Sequence, residues 1–111
     1  MPDRPALGEF EHHVLLAVLR LGNDAFTAPI VEELERRTGP SVAPAAVYIA
    51  LRRLEKRELV HSALRTDDSA GATRERRFVA VTEAGVAQLR DARSDLRSLW
   101  DGLDVLTGDD A

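Results

Sequence analysis

Leu7, Phe10, Val14, Val18 and Leu21 recur every three or four residues and predict a helix over about Leu7 to Leu21. Gly22-Asn23-Asp24 then supplies turn chemistry that ends it. A second helix is predicted after Thr27, whose hydroxyl can cap the first turn, with Pro29 tolerated there because the first amides lack helical partners. Ile30, Val31 and Leu34 give it a short apolar face, and Gly39-Pro40 stops it. A third helix is predicted from near Pro44 to about Arg57, with Val47, Leu51 and Leu54 as its buried stripe. Leu59 to Leu64 and Phe78 to Val81 alternate, contain β-branched residues and read as strands. The polar stretch Arg65 to Arg77 between them reads as the long tip of a hairpin. Thr82 is placed to cap a fourth helix, along which Leu89, Ala92, Leu96, Leu99, Leu103 and Leu106 step by alternating threes and fours, the seam that packs one helix on another.

The predicted fold class is therefore mostly α with a small β-hairpin, in the order helix, helix, helix, strand, strand, long helix. Two short helices, a third helix and a hairpin match a winged helix-turn-helix, in which the third helix enters the major groove of DNA and the hairpin, or wing, reaches phosphates or the adjacent groove. The competing reading is a small α+β domain whose basic face is merely solvated. Residues 1–82 are expected to form the DNA-binding domain, 83–106 the C-terminal dimerisation helix and 107–111 a frayed tail.

Composition narrows this picture. At 111 residues with 44% hydrophobic residues the chain suits one domain with a modest core. It has no cysteine, so neither a disulfide nor a thiolate metal site is expected, which fits a reducing, cytoplasmic location. Its longest apolar run, Val14 to Leu19, is far shorter than the roughly 20 residues a membrane span needs. The net charge of −4 argues mildly against nucleic acid, but its distribution changes the sign where it matters. Residues 1–40 carry −3, residues 41–81 carry +3 and residues 82–111 carry −4. Binding DNA requires a local positive face rather than a positive total.

Other chemistries find little support. His12 and His13 are adjacent on a helix and point apart, and His61 sits in a strand, so no metal is expected. No nucleophile elbow, phosphate loop or Ser-His-Asp arrangement occurs, so neither catalysis nor a cofactor is expected.

Two stretches carry a family resemblance. Ser41-Val-Ala-Pro-Ala-Ala-Val-Tyr48-Ile-Ala-Leu51-Arg-Arg53-Leu54-Glu55 resembles the recognition-helix pattern of the PadR family of transcriptional regulators. Arg76-Arg77-Phe78-Val79-Ala-Val81-Thr82-Glu83-Ala-Gly85 resembles that family's second wing strand and its run into the C-terminal helix. The chain departs from the pattern at Arg57-Glu58, where the family usually has a glycine in the left-handed conformation. It departs again at Phe78-Val79, where the family favours an aromatic pair, and at Phe26-Thr27-Ala28, where it has aromatic-Gly-aromatic.

The resemblance implies a dimer that binds a palindromic operator and acts as a repressor. It implies that the Tyr48 hydroxyl reaches a phosphate, against a plain reading of Tyr48 as a half-buried helix aromatic. Arg52 lies one turn beyond Tyr48 and is the better placed for the groove, with Ala45 and Ile49 beside it and Ser41 in the preceding turn. Arg53, 100° away on the helix, either joins them, supports the wing or pairs with an acid. Arg74, Arg76 and Arg77 are phosphate contacts or a soluble loop tip, and only one of Arg76 and Arg77 can face a given side of a sheet. The resemblance also assigns dimerisation to the C-terminal helix with help from the first, through Leu89, Ala92, Leu96, Leu99, Trp100 and Leu103; the alternative is that the seam packs back on its own domain. Trp100 is interface packing, or a platform on which a small, flat hydrophobic effector stacks. A winged-helix protein-interaction module without DNA binding is the remaining alternative.

Overall fold

The computed structural model describes residues 6–68, 71 and 73–103. Helices α1 (Glu9–Leu21), α2 (Thr27–Thr38) and α3 (Pro44–Lys56) precede a hairpin of β1 (Val60–Asp67) and β2 (Arg74–Val81), and α4 (Glu83–Trp100) follows. Val14, Leu15 and Val18 of α1, Ile30 and Leu34 of α2 and Val47, Ala50 and Leu54 of α3 meet in one core. Leu59, Val60 and Val79 at the root of the wing, and Leu89 of α4, extend it.

Thr27 is the first residue of α2 rather than its cap. The Ile30 amide that its hydroxyl would have engaged donates to the Phe26 carbonyl at 3.1 Å, and Phe26 itself holds the extended N-cap conformation. Gly39 ends α2 at φ +99°, a backbone that favours glycine. The turn into α3 is pinned by Glu35, whose carboxylate accepts the Val42 amide at 2.8 Å. On the other side of α2, Glu33 is only 4% exposed and accepts hydrogen bonds from Arg36 and Arg37, with Arg20 of α1 at 3.7 Å. The bond from Arg37 holds the Glu33 carboxyl below its ordinary range; burial pushes against it, and the charges of Arg36, Arg37 and Arg20 add to the lowering.

The departure at Arg57-Glu58 resolves clearly. Glu58 adopts the left-handed conformation, at φ +61°. The Leu59 amide reaches back to the Leu54 carbonyl at 3.0 Å and the Glu58 amide to that of Glu55 at 2.9 Å, while Leu54 and Leu59 are both buried. This is the double-bonded helix stop in which glycine normally supplies the positive φ, with the apolar contact that accompanies it. A side chain in that conformation costs about 1–2 kcal/mol. Glu58→Gly should therefore raise stability by about 1 kcal/mol, read as a higher denaturant midpoint at unchanged slope; a lower midpoint would show that the Glu58 side chain contributes more than its backbone costs.

The strands are longer than the alternation of apolar residues predicts. Pairing runs from Val60↔Val81 out to Asp67↔Arg74, so most of the polar stretch expected as a loop is sheet. Across this polar part of the ladder Arg76 pairs with Asp67 at 2.7 Å.

The fourth helix is shorter than expected. It stops at Trp100, where the Asp101 amide bonds back to Arg97 and Ser98, and Gly102 turns at φ +84°. Leu103 thus lies past the helix end rather than on the seam, and Leu106 and the tail 107–111 lie outside the described residues. At the helix start Thr82 does cap, its Oγ1 accepting the Gly85 amide at 3.0 Å. The same hydroxyl donates to the Glu58 carbonyl at 2.8 Å, and the Thr82 amide to that of Leu59 at 3.0 Å.

Candidate nucleic-acid interface

Burial of Val47, Ala50, Leu51 and Leu54 fixes how α3 is turned. At 100° per residue, Ala45, Ile49, Arg52 and Lys56 form the outermost line opposite that stripe, and all four are exposed. Tyr48 flanks the line: its hydroxyl accepts a hydrogen bond from Arg52 Nη1 at 3.0 Å, and the guanidinium sits 5.8 Å from the ring centre. Because that partner is a hydroxyl rather than a carboxylate, the side chain is oriented with its positive charge intact. Ser41 is exposed in the turn ahead of the helix.

Arg53 is drawn the other way, toward α1, where its guanidinium lies 3.8 Å from Glu11, with Arg57 at 3.9 Å from the same carboxylate. Of the readings open for Arg53, pairing with an acid is the one the structure displays, although the residue still borders the concavity formed by Tyr48, Arg52, Glu55, Lys56 and Arg77.

Alternation along β2 separates the wing arginines. Arg77 shares the face of Val79 and Val81, toward α3. It donates to Ser62 Oγ at 3.1 Å, and Ser62 donates to Glu55 of α3 at 2.9 Å, which ties the wing to the recognition helix. Arg76 is on the opposite face. Besides its ion pair with Asp67, its guanidinium lies 4.6 Å from the ring centre of Phe26. Phe26 meets Phe78 edge-on at 5.0 Å, and Arg65 covers Phe78 at 3.7 Å. The four side chains form a ladder of cation and ring that clips the wing to the start of α2, and the Val79 amide adds a bond to the Ala25 carbonyl at 2.9 Å. Arg76 is thus held within the fold, whereas Arg77, with Lys56, lies beside Arg52. The parity of Arg77 with Val79 was the available signal. Arg74 is exposed at the outer end of the hairpin.

Between α2, α3 and β2 lies a groove of about 530 Å³ with Val31, Leu51 and Val79 in its floor and Tyr48, Arg52 and Arg77 at its rim. The first residues of α2 and α3, neither helix capped by a side chain, also line it.

On the far side of the molecule the seam divides. Leu89 is buried in its own domain's core, whereas Leu96 and Leu99 are exposed, Leu99 at 71%, and Trp100 at 45% ends the helix. Of these, Leu96 adjoins Leu16 and Leu19 of α1, also exposed, across a groove of about 690 Å³ that His12, Arg90, Arg93 and Arg97 also border. Burial, then the neighbouring charge of His13, holds His12 below the ordinary imidazole range. Among the described residues, no three of His, Cys, Asp and Glu gather closely enough to hold a metal ion, and no helix is long and apolar enough to cross a membrane.

No curated protein matches the chain in sequence. Solved structures do match in fold. A PadR-like transcription factor from Bacteroides fragilis is 17% identical, with a TM-score of 0.70 over 88% of this chain and 89% of that one. A PadR family transcriptional regulator from Eggerthella lenta is 26% identical, with a TM-score of 0.64 over 84% and 79%. The Bacillus subtilis PadR structure in complex with operator DNA is 19% identical, with a TM-score of 0.60 over 74% of this chain and 45% of that one. The profile of the transcriptional regulator PadR-like family matches residues 15–91, from the core of α1 through the wing into α4. The chain therefore belongs to the PadR-like family of transcriptional regulators.

Proposed function

We propose that the protein is a cytoplasmic, non-enzymatic repressor that binds a palindromic operator as a homodimer, each copy laying α3 in a major groove. The observation that carries this reading is the outward line of α3, on which Arg52 is held by Tyr48, with no ion pair of its own among the described residues, and is continued by Lys56 and, from the wing, Arg77, with Glu55 the one acid of that concavity. The Bacillus subtilis relative solved with operator DNA supports it. Tyr48, Arg74 and Arg77 contact phosphates and set the register, while Arg52, Ala45 and Ile49 face base edges and Ser41 approaches the backbone at the start of the helix. Arg53 and Arg76, both engaged within the protein, support this surface from its edges. The exposed Leu96, Leu99 and Trp100, with Leu16 and Leu19, form the contact between copies. A flat hydrophobic effector stacking on Trp100 there would shift the angle between subunits and with it the spacing of the two α3 helices.

Selecting bound fragments from a random DNA pool tests the reading directly. Inverted repeats with half-sites about one helical turn apart, or a multiple of it, are expected. Arg52→Ala should weaken binding to the selected site by about 1–3 kcal/mol without lowering the melting temperature. A pool that yields no enriched sequence would leave the protein-interaction module as the better account.

A further inference from the structure

The line of α3 that reaches furthest into the groove is not chemically uniform. Its C-terminal half is cationic, Arg52 and Lys56, while its N-terminal half is apolar, Ala45 and Ile49, with Ala46 exposed alongside. Ile49 is one of the exposed large hydrophobic residues of the protein, on a helix whose other large apolar side chains, apart from Tyr48, are buried. The seam on the opposite side accounts for Leu96 and Leu99, but Ile49 lies nowhere near it. A recognition helix presents its N-terminal residues to base edges. A branched aliphatic side chain there can neither donate nor accept a hydrogen bond, and the one base feature in the major groove that rewards it is the thymine 5-methyl group.

We propose that Ile49, with Ala45 one turn before it, determines operator specificity by packing on thymine methyl groups, so that each half-site holds at least one obligatory thymine next to the base pair read by Arg52. This rests on the DNA-binding reading above and names what that surface selects. The neighbouring Arg52 supplies polar readout one turn further along, so the half-site combines a methyl-bearing position with one that offers acceptors, for which guanine is the best partner. The Tyr48–Arg52 hydrogen bond keeps the guanidinium over the tyrosine side of the helix and leaves Ile49 uncovered.

The test replaces each thymine of a pool-selected site, one at a time, by deoxyuracil, which removes the methyl and leaves pairing unchanged. Wild-type protein should lose about fourfold in affinity for at least one uracil per half-site, the worth of one buried methyl-sized group. Ile49→Ala should bind the thymine and uracil versions of that site alike, and Ala45→Gly should retain the discrimination at the Ile49 position. If no thymine is sensitive, or if Ile49→Ala keeps the full discrimination, the assignment is overturned while DNA binding itself stands. If the pool yields no site at all, the DNA-binding reading fails and this inference falls with it.

Discussion

Gly85→Ala is expected to destabilise the protein by about 3 kcal/mol, or to prevent folding altogether. Helix propensity alone gives the opposite sign, because alanine is favoured over glycine in a helix by about 1 kcal/mol. The reason is close approach: a Cβ on Gly85 would lie 2.3 Å from the Leu59 carbonyl oxygen and 2.6 Å from Val81 Cγ1. The first is backbone, fixed by the bonds from Thr82 to Glu58 and Leu59, and cannot swing aside as a side chain would. Thermal or denaturant unfolding of the variant beside Ala87→Gly, an exposed position on the same helix, separates the two effects. A Gly85→Ala protein as stable as the parent would mean that α4 does not sit tightly on the base of the wing.

Leu99→Asp should give a monomer whose operator affinity falls at least about 100-fold, since the second half-site is no longer held at high effective concentration. Leu99 is the most exposed large apolar side chain among the described residues, so the substitution leaves the core of the single copy intact and its melting behaviour should remain cooperative. Sedimentation measures the assembly, and the chain's one tryptophan gives an independent readout. Trp100 emission in the parent should shift to the blue as protein concentration rises through the dimerisation range, whereas the variant should show no shift. A variant that still sediments as a dimer would place the contact between copies elsewhere, and a change in Trp100 emission on adding flat hydrophobic compounds would separate the effector role from plain packing.

The first three helices were legible in the sequence because a period near 3.6 leaves Val14 and Val18, Ile30 and Leu34, and Val47, Leu51 and Leu54 on core-facing stripes. The strands were legible only where they are apolar. Their outer halves are built from Arg65, Asp67, Arg74 and Arg76, of which Arg76 pairs with Asp67 across the hairpin, and leave no hydrophobic alternation to detect. The same limit concealed the division of labour among the arginines. Arg76 and Arg77 are equivalent by composition, and only the register and the location of Phe26, fifty residues earlier in the chain, decide that one enters the ladder of rings while the other faces α3. Helical geometry placed Arg52 correctly relative to Tyr48, because that relation is local; Arg53 depended on Glu11, which it is not. The seam was read as continuous because spacing does not report what lies opposite: Leu89 meets its own core, and the projecting Leu96 and Leu99 do not.

The ladder of Arg65, Phe78, Phe26 and Arg76 has a consequence for the protein's life on a chromosome. In a chain already at −4, Arg76 has its charge offset by Asp67 and Arg65 is drawn onto the Phe78 ring, which leaves Arg74 and Arg77 as the wing arginines outside the ladder and few cations to grip a phosphate backbone irrespective of its sequence. On the operator-binding reading proposed above, random DNA is then a shallow reservoir. Less of the protein is sequestered on the vast excess of irrelevant sites, and occupancy of the operator depends correspondingly more on the few side chains that discriminate among bases.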